Sequence, residues 1–382
     1  MQNIYQNIEG YNSIIIFGVS DIGKLIEDEI KDHCKEMNKT ICFADNSYKK
    51  WNGVNILSPA DASDKYPDSI WIIASDIHGQ TMLNNLINLG ISEKNIVKNI
   101  PADILHKEQN AKKLRRVAPQ RILRLLEVDI AHHCNLNCVG CSAFSPLVKE
   151  PLWADLEVFE SDMSRLSLLL HGHLYTLHIM GGEPLLNPRI NDFIECGRKY
   201  FSNSKICIIS NGILLPKMPD DFWSTCRKNQ IVISITKYPI ELDYKRLSVI
   251  AESHQVSFEF FGTAVDKTTW NLAFDRFGKQ DPYESFCNCK MANYCVRLRN
   301  GKLATCSPIL NIEFLNETFG IDIKSCNDDY IDIHKAKNGD EILKFLSKPV
   351  PFCRFCDVKN RTYDNLWGIT NKEIEEWVIN VN

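Results

Sequence analysis

Cys134-Asn135-Leu136-Asn137-Cys138-Val139-Gly140-Cys141 places three thiols in a C-x3-C-x2-C spacing. The stretch follows a strand-like run, Leu125–Ile130, and about 40 residues later comes Gly181-Gly182-Glu183-Pro184. Three close cysteines can hold three irons of a [4Fe–4S] cube, which usually takes four thiolates. The fourth iron would be left open, and an open metal position is where catalysis tends to happen. The same loop could instead be half of a zinc site, with His132 or His133 as a further ligand. The three-thiol loop, the later Gly-Gly-Glu-Pro and the strand ends on which both fall together favour the cluster.

Around this loop the pattern alternates between strand and helix. Strands are expected at Leu125–Ile130, Leu174–Met180, Lys205–Ser210, Ile231–Thr236 and Val256–Phe261. Helices are expected near Leu156–Leu170, Arg189–Tyr200, Asp220–Lys228 and Asp243–His254. Such alternation implies an α/β fold with a parallel sheet, open or partly closed as a barrel. Functional residues then gather at the C-terminal strand ends. Both motifs obey this, as do Ser210-Asn211-Gly212 and the pair Ser234 and Thr236.

The combination resembles the radical S-adenosylmethionine (SAM) superfamily over about residues 121–360. The resemblance implies a partial (β/α)6 barrel, a [4Fe–4S] cluster on Cys134, Cys138 and Cys141, and SAM on its open iron. Gly181, Gly182 and Glu183 would meet the methionyl amino group. Ser210, Asn211, Ser234 and Thr236 are further candidates for ribose and carboxylate contacts. The implied chemistry is one-electron cleavage of the sulfonium and hydrogen abstraction by a 5′-deoxyadenosyl radical, with electrons from an external donor such as flavodoxin or ferredoxin. The family commonly has an aromatic residue after the second cysteine; here it is Val139, which changes adenine packing.

A second group of cysteines follows: Cys287, Cys289, Cys295, Cys306, Cys353 and Cys356. A cysteine, then G-x4-C at Gly301–Cys306, then a distant C-x2-C resembles the twitch domain, the shorter relative of the SPASM domain. That resemblance implies a second, auxiliary [4Fe–4S] cluster on Cys306, Cys353, Cys356 and one more thiol. Cys289 is favoured for the fourth by its distance to Cys306, with Cys295 and Cys287 left open. A structural zinc ribbon is the alternative. Asp329–Asp332 and the helix-like Asp340–Leu346 are expected to cover the site's mouth, and Trp367–Val381 to form a surface helix.

The first hundred residues read differently. Ser13–Phe17 is a buried strand that runs into Gly18-Val19-Ser20-Asp21-Ile22-Gly23, then a helix from Lys24 to about Glu36. Further strands are expected at Thr40–Ala44 and Ile70–Ser75, with an amphipathic run His78–Leu89. Gly18, Gly23 and Asp45 sit where a dinucleotide fingerprint would place a phosphate turn and a ribose-binding acid. The middle glycine is Ser20, and the unit is half of a full dinucleotide fold. It looks like the Rossmann-like modules attached to sugar-modifying enzymes of surface-polysaccharide pathways. Nucleotide-sugar binding and a purely structural sheet both remain open for it.

The expected layout is therefore a Rossmann-like module at 1–105, a linker at 106–120, a radical SAM core at 121–280 and a twitch-like domain at 281–382. The linker and its flank carry Lys107, Lys112, Lys113, Arg115, Arg116, Arg121 and Arg124 against one acid, Glu108, and read as a solvated segment. A net charge of −4 over 382 residues gives no reason to expect a nucleic-acid partner. No apolar run reaches membrane-spanning length and the N-terminus has no secretory pattern, so a cytoplasmic location is expected. Fifteen cysteines in such a chain favour metal binding over disulfides. The scattered ones, Cys34, Cys42, Cys196, Cys207, Cys226 and Cys326, read mainly as small core residues. The function expected is an oxidoreductase or isomerase that abstracts hydrogen from a sugar or nucleotide sugar, since the twitch layout resembles radical SAM dehydrogenases of amino sugars. Peptide maturation and a non-catalytic scaffold are the alternatives.

Overall fold

The computed structural model describes residues 8–47, 49–51, 54–75, 79–97, 123–261, 266–292, 294–346 and 348–379. The linker at 106–120, with Lys107 to Arg116, and Arg121 beside it lie outside the described residues. Two compact units divide the chain, Met1–Arg121 and Ile122–Asn382.

In the first unit, β1 (Ser13–Phe17) is followed by β2 (Thr40–Ala44), a hairpin of β3 (Lys50–Trp51) and β4 (Val54–Asn55), then β5 (Ser69–Ile73) and β6 (Ile96–Val97). Four of these form a parallel sheet in the order β2-β1-β5-β6. The central strands are apolar at nearly every position because both faces are covered. Ile14 and Ile16 pack into one core, Ile15 and Phe17 into another.

The second unit opens with β7 (Leu123–Ala131), β8 (Leu174–Gly181), β9 (Lys205–Ser210), β10 (Ile231–Ile235) and β11 (Ser257–Phe260), each paired in parallel with the next. Short strands follow: β12 (Thr269–Asn271), β13 (Phe274–Asp275), β14 (Arg297–Arg299), β15 (Lys302–Ala304), β16 (Tyr330–Asp332), β17 (Thr362–Asn365) and β18 (Val378–Ile379). The main sheet has eight strands in the order β11-β10-β9-β8-β7-β14-β15-β16. Period-two alternation sorts its side chains. Leu126, Val128, Ile130, Leu177, Ile179, Ile206, Ile208, Ile231 and Ile233 pack against the helices Leu156–Leu169, Ile190–Tyr200, Asp220–Lys228 and Tyr244–Ser253. The other face carries Glu127, Asp129, His178, Ser234 and Arg297, all buried.

Three expectations change here. Among the described residues, five strands run parallel in sequence, one fewer than a (β/α)6 repeat. The place beside β7 is taken by β14, which returns from residue 297, so the boundary expected near 280 does not divide the sheet. Tyr330–Asp332 does not form a cover: it pairs antiparallel with β15 as an edge strand. The tail is not a surface helix either. Residues 374–376 make a single 3-10 turn, β18 pairs with β13, and Trp377 is fully buried. Its apolar residues meet the core through strand pairing and one turn, without a helical repeat.

Candidate functional site

The three thiols of the loop after β7 are each partly buried. They are close enough to raise one another's proton affinity, Cys134 through Cys141 and Cys138, and Cys138 through Cys141. The loop turns back through left-handed residues at Asn137 (φ 45°) and Gly140 (φ 61°). At Gly140 a side chain would run into the Trp270 carbonyl, so glycine is required. The far end of the chain holds the loop in place. Val139 N–H donates to Gly368 O at 2.9 Å, Thr370 N–H to Asn137 O at 3.0 Å, and the Trp377 indole to Cys141 O at 3.0 Å.

Gly181 and Gly182 close the other side. Added side chains there would strike the Ala131 and His133 carbonyls, because the end of β8 lies backbone to backbone against the end of β7. Gly182 N–H donates to Ala131 O and Glu183 N–H to His133 O. Glu183 is fully buried, and its carboxylate accepts from Leu185 N–H at 3.0 Å, Ser210 Oγ at 2.8 Å and Asn211 N–H at 2.9 Å. These use three of roughly four acceptor positions of a carboxylate. Burial still dominates and pushes Glu183 up to about 7, against three hydrogen bonds that favour the anion. The Asn211 side chain then donates to Asn135 Oδ1 at 2.7 Å and reaches Cys134 Sγ at 3.9 Å. Glu183, Ser210 and Asn211 thus brace the cysteine loop. The third strand end supplies two of the carboxylate's three donors, which leaves about one acceptor position unused.

Ser234 is fully buried and donates to Glu259 at 3.3 Å, while Thr236 N–H donates to Ser210 O. His132 is buried against Phe314, and burial lowers it to about 4. The His133 ring bonds to the Leu152 backbone and packs on Trp153. Neither ring serves the thiols.

No family model matches the chain. A stretch of 106 residues is 33% identical to the GTP 3',8-cyclase of Clostridium acetobutylicum, covering 26% of this chain and 31% of that protein. A stretch of 132 residues is 26% identical to the GTP 3',8-cyclase of Campylobacter jejuni subsp. doylei, covering 35% and 39%. The chain thus spans between three-tenths and four-tenths of the length of these curated relatives. Among solved structures, BtrN in complex with AdoMet and 2-DOIA is similar at 17% identity and a TM-score of 0.38, over 62% of this chain and 93% of that one. The curated relatives, taken with the three-thiol loop, support the radical SAM superfamily. A radical SAM core takes a [4Fe–4S] cluster and SAM. The donor set fits them: three partly buried thiols on one loop, with Leu136 N–H donating to Cys134 Sγ at 3.4 Å. Burial pushes Cys134 up and Cys138 to about 11, so both thiols need a cation to become thiolates at neutral pH. Among the described residues, no three His, Cys, Asp or Glu side chains converge as the ligands of a single metal ion would.

Behind the radical SAM core, Cys289, Cys306, Cys353 and Cys356 form a second group. Cys306 feels Cys356, Cys289 and Cys353, and Cys353 feels Cys356 and Cys289. Cys295 is coupled to Cys289 of that quartet and also to Glu127 and Arg297. The side chain of Cys287 lies outside the described residues. Arg361 Nη1 donates to Cys289 Sγ at 3.3 Å.

The turn at Gly18–Gly23 is closed on itself. The Ser20 hydroxyl accepts from Gly23 N–H at 3.1 Å and donates to Ala74 O at 2.8 Å, capping the following helix. Asp45 accepts from Val19 N–H at 2.9 Å and Ser47 N–H at 2.8 Å. Gly18, Gly23 and Asp45 are brought together as expected. Ser20 and Asp45 already make hydrogen bonds within the turn.

Sequence reasoning missed the tail contacts, Arg361 and the polar sheet face. Only the last left a signal: the alternation Leu126-Glu127-Val128-Asp129-Ile130. On that face Arg297 bonds Glu127 at 3.1 Å and Asp129 at 2.7 Å, and His178 Nδ1 lies 3.8 Å from Glu127. Among the described residues no helix is long and apolar enough to cross a membrane.

Proposed function

We propose that this chain is a radical SAM enzyme that abstracts hydrogen from a small hydroxyl-bearing molecule, of the carbohydrate or sugar-nucleotide class, in an oxidation or epimerisation. In this reading Cys134, Cys138 and Cys141 hold the SAM-binding cluster, and Cys289, Cys306, Cys353 and Cys356 an auxiliary one in a twitch-like region. When bound and reduced by an external donor of the flavodoxin or ferredoxin kind, the first cluster and SAM supply a 5′-deoxyadenosyl radical. The chain's own residues shape and hold the site. Glu183, Ser210 and Asn211 fix the strand ends, and the tail fixes the thiol loop.

One observation carries the choice of substrate class. The sheet face opposite the helices is buried and polar, with Arg297 Nε and His178 Nδ1 lacking hydrogen-bond partners among the described residues. A buried polar group left unpaired costs about 1–3 kcal/mol, so such groups are retained where something else completes them. Hydroxyl groups of a polyol can do so, accepting from the guanidinium and either accepting from or donating to the imidazole. The closed Gly18–Gly23 turn supports placing sugar recognition on this face and not in the first unit.

The test is a panel of deuterated sugars and sugar nucleotides incubated anaerobically with the reduced protein and SAM. Deuterium should pass from a sugar into 5′-deoxyadenosine. Transfer from a peptide and from no sugar would end the carbohydrate reading, and release of no 5′-deoxyadenosine at all would end the enzymatic one.

A further inference from the structure

Arg361 is buried, 7% exposed, and held in place by donating Nε–H to Leu272 O at 3.1 Å while Nη1–H points at Cys289 Sγ. No ion pair with a carboxylate neutralises it among the described residues. Its charge is instead felt by Cys356 and Cys289. A buried guanidinium without a counter-charge is strongly destabilising. The four thiols beside it can supply that counter-charge only as thiolates. At the first trio Cys134 receives the Leu136 backbone N–H and faces the Asn211 amide, while the charges of Lys267 and Arg297 are felt by Cys138 and Cys141, Arg297 being paired with Glu127 and Asp129.

We propose that Arg361 is a positioning residue that raises the reduction potential of the auxiliary cluster. The inference rests on the reading of Cys289, Cys306, Cys353 and Cys356 as its ligands. Reduction of a four-thiolate [4Fe–4S] cluster adds one electron and no proton, so its net charge becomes more negative by one. A fixed cation at hydrogen-bond distance from a ligand sulfur stabilises the more negative state more. Hydrogen bonding to that sulfur acts in the same direction.

The experiment is an anaerobic redox titration of the reconstituted full-length chain, followed by electron paramagnetic resonance. The auxiliary signal is isolated in a variant with Cys134, Cys138 and Cys141 all changed to Ala. R361Q should lower the auxiliary midpoint, and R361K, which keeps the charge without the planar fork, should recover part of the shift. An R361Q midpoint equal to native overturns the proposal while leaving the ligand reading intact. Zinc at the quartet, or about four irons per native chain where two clusters require about eight, overturns both. Should R361Q lose its iron, R361K decides: a midpoint equal to native would show that the fixed fork does not tune the cluster.

Discussion

The two groups of cysteines differ in how their surroundings treat them. The first has three thiols on one short loop, partly buried, with a backbone N–H donating to Cys134 Sγ and a backbone braced by the C-terminal segment. The second draws four thiols from distant points of the chain and adds a buried guanidinium. Three ligands on a loop leave a metal position free to bind a second molecule. Four ligands and a cation close the centre and suit it to holding or passing charge. On the proposed reading, ligand number and counter-charge, more than the identity of the thiols, would separate a reaction site from an electron site.

The sharpest way to break this contrast is Cys138→Ala. We expect 5′-deoxyadenosine release to fall to background while about four irons per chain remain at the quartet. Loss of all iron would show that the two groups do not load separately. Cys353→Ala is the converse. Iron should fall from about eight to about four per chain, with SAM cleavage retained and substrate turnover lost, as read by metal analysis beside product assays.

Glu183 gives a subtler test of how the first loop is braced. Its pKa stands at about 7 in the fold against an ordinary 4.5, raised by burial. A raised folded value means the stabilisation is fully present below about pH 4.5 and is lost as pH rises through about 7. The loss amounts to roughly 3 kcal/mol. Urea unfolding of the metal-free chain should therefore weaken between pH 5 and pH 8, and Glu183→Gln should flatten that slope. Equal slopes in both proteins would mean the three hydrogen bonds outweigh burial. The smallest effect is expected for Trp377→Phe, which keeps the ring and removes one donor to the Cys141 carbonyl. It should cost roughly 1 kcal/mol and slow cluster loading at the first loop only.

Much of this was legible in the residues. The strands flanked by turn signals, and the cysteine loop with its Gly-Gly-Glu partner, follow from alternation and spacing. What was not legible depends on contacts between distant segments. Nothing near Glu183 in sequence says that Ser210 and Asn211 will occupy its oxygens. Nothing near Trp377 says that its indole belongs to a carbonyl at residue 141. The tail misled for a physical reason: Ile374, Trp377 and Val378 at near-helical spacing can equally be buried by a turn and a two-residue bridge. At Gly18–Gly23 the glycines and Asp45 sat where a nucleotide site needs them. One hydroxyl, at Ser20, turned the same geometry inward.

The indole bond between Trp377 and Cys141 spans 236 residues. At ordinary elongation rates, a ribosome needs on the order of 10–50 s to make that intervening stretch. Throughout that interval the nascent thiols have emerged but their brace has not been synthesised. The support of this loop is therefore complete only once nearly the whole chain has been made.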